Sequence, residues 1–143
     1  MVTIALRFGE HFAPECGTIK AHEELIKQNG YVWYGKMGNR ISAKIREQLL
    51  SAECQRILLI RSGKAERYWA HIVDIQEVQP PLTEIPEYYR GFPDKFKCWF
   101  KITEFEKADK DILNKWYVAS SRNYLGEVSK HSMSPYFIIT NEK

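Results

Sequence analysis

The sequence predicts a mixed α+β, barrel-like domain of about six strands with two or three flanking helices. Three observations carry this. Residues 55–77 read as a hairpin: the apolar run 57–60, the turn signal Ser62-Gly63-Lys64, and residues 68–78, rich in aromatic and β-branched side chains. Residues 95–105 alternate, with Phe96, Cys98, Phe100 and Ile102 on one face and Lys95, Lys97, Trp99 and Lys101 on the other. That pattern places one face in a core and one towards solvent. Helical spacings are interspersed among the strands, and small strand-rich chains of this kind commonly close the sheet to remove its edges.

The elements follow in order. Residues 3–8 alternate loosely and form a short first strand, and 10–17 form a loop with Pro14 and Gly17. Thr18 is the expected N-cap of a helix to Gln28, with Ile19, Leu25 and Ile26 as its buried stripe and Asn29-Gly30 as its stop. Residues 31–35, Tyr-Val-Trp-Tyr-Gly, are a second strand by composition. Gly38 and Asn39 turn the chain, and Ser42 caps a second helix to about Ala52, with Ile45, Leu49 and Leu50 at helical spacing.

The hairpin comes next and is expected at the middle of the sheet. Residues 79–94 are a long connection with Pro80, Pro81, Pro86 and Pro93; its Ile85, Tyr88, Tyr89 and Phe92 argue for order and function. After the alternating strand, 108–115 reads as a short helix with Asp109 and Asp111 near its N-terminus. Residues 116–120 read as a short strand, 121–135 as a loop with one helical turn near 125–128, and 136–140 as a terminal strand.

One domain over residues 1–143 is the expectation from length. Hydrophobic residues make up 44%, which suffices for one sizeable core, and a net charge of +3 permits a nucleic-acid partner without demanding one. Seven Phe, four Trp and eight Tyr are many for this length, so some rings are expected outside the core, where they can stack. No apolar run is long enough to span a bilayer, and the first residues lack the build of a signal peptide. Cys16, Cys54 and Cys98 are far apart and odd in number, which fits a reducing, cytoplasmic setting.

Phosphate-loop, dinucleotide, HExxH and GxSxG motifs are all missing, so no cofactor is expected. His11 with Cys16, and His22 with Glu23, lack metal-ligand spacing and read as exposed loop and helix residues; no metal is expected. His71 reads as a hydrogen-bonded sheet histidine, and Cys98 as inert core filling.

Several stretches together resemble the PUA-like superfamily, specifically its EVE and YTH branches. A strand with Trp33, the Gly38-Asn39 turn and the helix after Ser42 follow the YTH order. So do the apolar strand 57–60, the Ser62-Gly63-Lys64 turn, the aromatic strand 68–75, and Phe100-Lys101-Ile102. The resemblance spans residues 31–139. Where YTH domains place further cage tryptophans, this loop carries Tyr88, Tyr89 and Phe92, so the chain looks most like the EVE-type modules of McrB-type restriction systems.

That resemblance implies a PUA-like mixed β-barrel that binds DNA or RNA and reads a modified, methylated base, flipped from a duplex or held in a single strand. Extruding a base costs a few kcal/mol, and stacking on aromatic side chains returns roughly 1–3 kcal/mol per base. The candidate pocket residues are Trp33, Tyr34, Ser62, Tyr88, Tyr89 and Trp99. A ring-walled hollow is expected between Trp33 and the tyrosine-bearing loop. Candidate phosphate contacts are Lys36, Arg40, Lys64 and Arg90, with Lys97, Lys101, Arg122 and Lys130. No catalytic residue is assigned. A membrane partner is not expected, and membership of a larger multidomain or multi-subunit system is.

Two other functions are kept open. One is a small ASCH-like hydrolase acting on nucleosides or RNA, with Lys64 and one of Glu66, Asp74 or Glu104 as acid–base groups. The other is a protein–protein adaptor that uses the aromatic loop.

Overall fold

The computed structural model describes residues 1–10, 12–61, 66–132 and 134–142. Among them the elements run β1 (Val2–Arg7), α1 (Thr18–Asn29), β2 (Val32–Met37), α2 (Ala43–Ser51), β3 (Arg56–Ile60), β4 (Arg67–Gln76), β5 (Phe96–Lys107), β6 (Tyr117–Val118), α3 (Leu125–His131) and β7 (Tyr136–Thr140). Three short 3-10 turns, Leu82–Glu84, Glu87–Gly91 and Pro93–Lys95, fill the connection from β4 to β5.

All seven strands form one sheet in the order β2-β5-β4-β3-β1-β7-β6. Among the described strands only β1 and β3 pair in parallel; the other neighbours are antiparallel. The expected hairpin is there, β3 against β4 with Leu58 opposite Trp69, at the centre of the sheet. Its turn, with Ser62, Gly63 and Lys64, lies outside the described residues. So does His11.

The architecture is mixed α+β, as expected, and among the described residues the strand order is that of an open sheet ending in β2 and β6. Its inner face buries Ile4, Leu6, Tyr34, Ile72 and Phe100 together with Ile57 and Leu59. Helices α1 and α2 pack on that core through Ile19 and Leu49. The outer face of β1, β3, β4 and β7 carries a second core of Ala5, Leu58, Ile60, Trp69 and Ile139, covered by Trp116 and Leu125. Both faces of β3 are therefore buried, which explains why its sequence is a continuous apolar run rather than an alternating one. Each fully buried Leu or Ile there contributes about 1.5–3 kcal/mol.

Ser42 caps α2 as expected, its Oγ accepting from the Ile45 N–H at 3.2 Å. Gly30 ends α1 in the left-handed region, φ 85°, with its N–H donating to the Ile26 carbonyl. Several expectations are corrected. Thr18 is inside α1 and Gly17 is its N-cap, because the Thr18 hydroxyl donates instead to the Gly9 carbonyl. His22 is wholly buried rather than exposed. The helix expected over 108–115 is only the 3-10 turn Ile112–Asn114, and the strand over 116–120 shrinks to Tyr117–Val118, which brings the strands to seven.

The largest difference lies on β5. Trp99 is on the expected solvent face yet has no exposure. The 3-10 segment folds back over that face, and Trp99 joins Trp33, Ile85, Tyr89 and Phe96 in a third, aromatic cluster. Alternation along one strand reports which residues share a face, and a distant segment decides whether that face meets water.

Candidate functional site

A cavity of about 230 Å³ lies beside the C-terminal half of β2. Leu6, Phe8 and Thr18 line one side, and Tyr34 and Lys36 of β2 line the next. Tyr88, Tyr89, Phe92 and Phe96 complete it as an aromatic wall, while the exposed side chains of Phe12 and Met37 also border it.

Local sequence builds this wall at β2. The pairing of β2 with β5 slips at its end: Lys36 lies opposite Cys98, but Met37 lies opposite Phe96. The extra residue on β5 is Lys97. Such a bulge bends the strand and re-aims its side chains. Phe96 accordingly leaves the core that holds Cys98 and packs at 4.9 Å from Trp99 and 4.3 Å from Tyr89. Gly35 permits this approach, since a Cβ there would overlap the Phe96 ring.

The 3-10 segment is anchored on β2 through one carboxylate. Glu84 Oε1 accepts from the Tyr31 hydroxyl at 2.6 Å and from Trp33 Nε1–H at 3.2 Å. Arg90 Nε donates to the Leu82 carbonyl at 3.0 Å within the segment. Tyr88 and Tyr89, on the middle turn, then stand 4.7 Å apart with their planes at 70°.

Helix α1 closes the other side. The Thr18 N–H donates to the Glu10 carboxylate at 2.9 Å. One turn further on, His22 Nδ1 lies 2.8 Å from the Thr18 carbonyl. A carbonyl only accepts, so Nδ1 carries the hydrogen and Nε2 is the bare nitrogen; Nε2 is buried without a partner. The imidazole is flanked by Tyr34 and Tyr89 at 5.2 and 5.3 Å. Burial pulls its pKa down to about 4. Burial likewise pushes the phenols of Tyr34, Tyr88 and Tyr89 up, so they are neutral.

Two cations and no carboxylate line the cavity among the described residues. Arg7 ties β1 to the end of α3: Nε donates to the Ser134 carbonyl, and Nη2 to those of Ser129 and Ser132. Lys36 is only 5% exposed. Its Nζ donates to the carbonyls of Met37 at 3.2 Å and Asn39 at 2.5 Å, and lies 4.6 Å from the centroid of the Tyr136 ring. Desolvation lowers its pKa.

Of the expected pocket residues, Tyr34, Tyr88 and Tyr89 meet at this cavity, and Ser62 lies outside the described residues. Trp33 and Trp99 do not line it. The hollow is bounded by Tyr34, on the opposite face of β2 from Trp33, because Trp33 is held under the loop by Glu84. Lys36 is in the lining rather than on an outer surface. The other expected phosphate contacts are dispersed. Arg40 pairs with Glu77 at 3.0 Å. Lys101 sits 4.2 Å from the Tyr31 ring centroid. Arg122 donates to the Glu142 carbonyl. Arg90, Lys97 and Lys130 are exposed, and Lys64 is outside the described residues.

The carboxylates weighed for hydrolysis do not converge on the cavity. Glu66 pairs with Arg61, Asp74 with Arg46, and Glu104 is exposed on β5. His71 bonds Glu106 at 3.0 Å across the sheet, matching its expected role. No group of three metal-ligating side chains occurs among the described residues, and no described helix is long and apolar enough to cross a membrane.

Sequence reading missed Arg7, Phe8 and Thr18 at the site, and assigned Phe96 to the wrong core. One signal was available: a lone glycine inside a strand marks a bulge or close approach, and Gly35 is the residue on which Phe96 rests. A family model described as Pua-like matches residues 4–139. No curated protein and no solved structure matches the chain.

Proposed function

The chain belongs to the PUA-like family, whose domains typically bind nucleic acid, and from that premise we propose that it is a binding module that reads a single base. The base, in this reading, is modified, and is flipped from DNA or presented by single-stranded RNA. The observation that carries the reading is the aromatic cavity bearing Lys36 and Arg7 and, among the described residues, no carboxylate. Its 230 Å³ falls below the roughly 300–1,000 Å³ of drug-sized pockets, which suits one planar ring system rather than a whole nucleotide. Tyr88, Tyr89 and Phe92 supply faces and edges for stacking, worth about 1–3 kcal/mol per base. A buried methyl adds about 0.8 kcal/mol, and an unmodified base leaves that space unfilled. A place in an EVE-type module of a larger restriction system is part of the same proposal.

The test is a binding screen of short duplexes and single strands, each with one methylated base, followed by fluorescence anisotropy at several salt concentrations. Binding should weaken with salt and strengthen with one modification. Tyr88→Ala and Phe92→Ala should weaken the modified oligonucleotide about tenfold more than the unmodified one. Equal losses for both, or no binding to any strand, would refute the reading.

A further inference from the structure

Lys36 is a buried cation without a counter-ion. No ion pair to it occurs among the described residues, and apart from Arg7 its neighbours on the cavity wall are aromatic, aliphatic or hydroxyl-bearing. Buried charges are ordinarily paired, because leaving one unpaired in a low-dielectric site is costly. An ammonium has three hydrogens to donate. The Met37 and Asn39 carbonyls account for two, and the Tyr136 ring, 4.6 Å from Nζ, offers a π face but no oxygen acceptor or counter-charge. The other cation of the lining cannot serve, since the Arg7 guanidinium is spent on the carbonyls of Ser129, Ser132 and Ser134.

From this arrangement we infer that the ligand supplies the missing acceptor: the cavity takes a base whose entering edge carries a carbonyl or anionic oxygen, and rejects adenine-type and positively charged bases. The inference rests on the base-reading proposal above and names the ligand class of the same site. An adenine edge sets its amino donor beside only a neutral ring-nitrogen acceptor, so part of it faces the ammonium donor to donor, and a base methylated into a cation presents like charge. A pyrimidine-dione or a 6-oxopurine presents an oxygen that accepts from Nζ while its ring meets the aromatic wall. Hydrogen bonds to charged groups are among the stronger ones in proteins, so the preference should be large.

The probes are single strands of nine nucleotides with a constant flank and one central base: uracil, thymine, guanine, adenine, N6-methyladenine or 1-methyladenine. Wild-type protein should bind the oxygen-edged bases at least about tenfold tighter than the adenine series, with 1-methyladenine weakest. Lys36→Met should compress the series to within about threefold, and Lys36→Arg, which keeps the charge, should retain the order. The wild-type ranking alone tests the inference, whatever the variants do to folding. An adenine-type preference, or an unchanged ranking in Lys36→Met, would overturn it. Competition by inorganic phosphate, with the central base immaterial, would overturn it too, by giving Lys36 to the backbone. Binding that depends on Tyr88 and on modification but ignores the base edge would overturn this inference alone. A protein that binds none of the strands would overturn both readings.

Discussion

Replacing Gly35 with alanine tests whether the aromatic wall depends on close approach of a side chain to the β2 backbone. The added Cβ would fall inside the contact distance of the Phe96 ring, near its attachment point, so the overlap cannot be relieved by swinging a flexible tip. Nor is the ring free to slide: Tyr89, Trp99 and Phe92 hold it at 4.3, 4.9 and 5.8 Å. Overpacking of this kind costs about 1–3 kcal/mol. Alanine recovers roughly 0.5–1 kcal/mol, because glycine is intrinsically poor within a strand. The expected net loss is about 1–2 kcal/mol. For a chain near 150 residues that lowers Tm by about 2–8 °C. Urea denaturation followed by tryptophan fluorescence reads the change directly, and oligonucleotide binding should fall with it as Phe96 and Tyr89 shift. A Gly35→Ala protein as stable as the wild type, or more stable, would show that the ring has room to move and that the close-approach argument is wrong.

Two further outcomes are expected. His22 has a folded pKa of about 4 against an ordinary 6.5, so between those values the unfolded chain binds the proton that the folded one refuses. Stability should therefore decline as pH falls from about 6.5 to 4, by roughly 3 kcal/mol in all, and denaturation at stepped pH should show this slope flattened in His22→Phe; identical slopes would contradict the assignment. Glu84 holds the 3-10 segment to β2 without touching the cavity. Glu84→Ala should cost about 1–2 kcal/mol by denaturation and should weaken oligonucleotide binding, as Tyr88 and Tyr89 lose their mooring.

Local patterns were a good guide to the strands. The apolar run 57–60, the alternation from Phe96 onward and the aromatic stretch with Trp33 all emerge as β-structure, because side-chain periodicity is a property of the chain itself. The same patterns misjudged the helix at 108–115, where Asp109 and Asp111 suggested a helix start but the segment closes only one 3-10 turn. They misjudged His22 as well: a polar residue on a helix face looks solvated until tyrosines from β2 and the distant loop pack around it.

By itself, then, the sequence determined the hairpin at the centre, the capped second helix, the aromatic loop, and the candidacy of Tyr34, Tyr88 and Tyr89. Which tryptophans face the hollow, and which cation lines it, was decided in three dimensions. Burial of Trp33 and Trp99 comes from the loop before β5 folding back so that Glu84 meets Tyr31 and Trp33, more than fifty residues earlier in the chain. The aim of Phe96 comes from a bulge in the register between two strands. Both are relations between segments, set by packing and strand pairing, and neither is encoded in the periodicity of either segment alone.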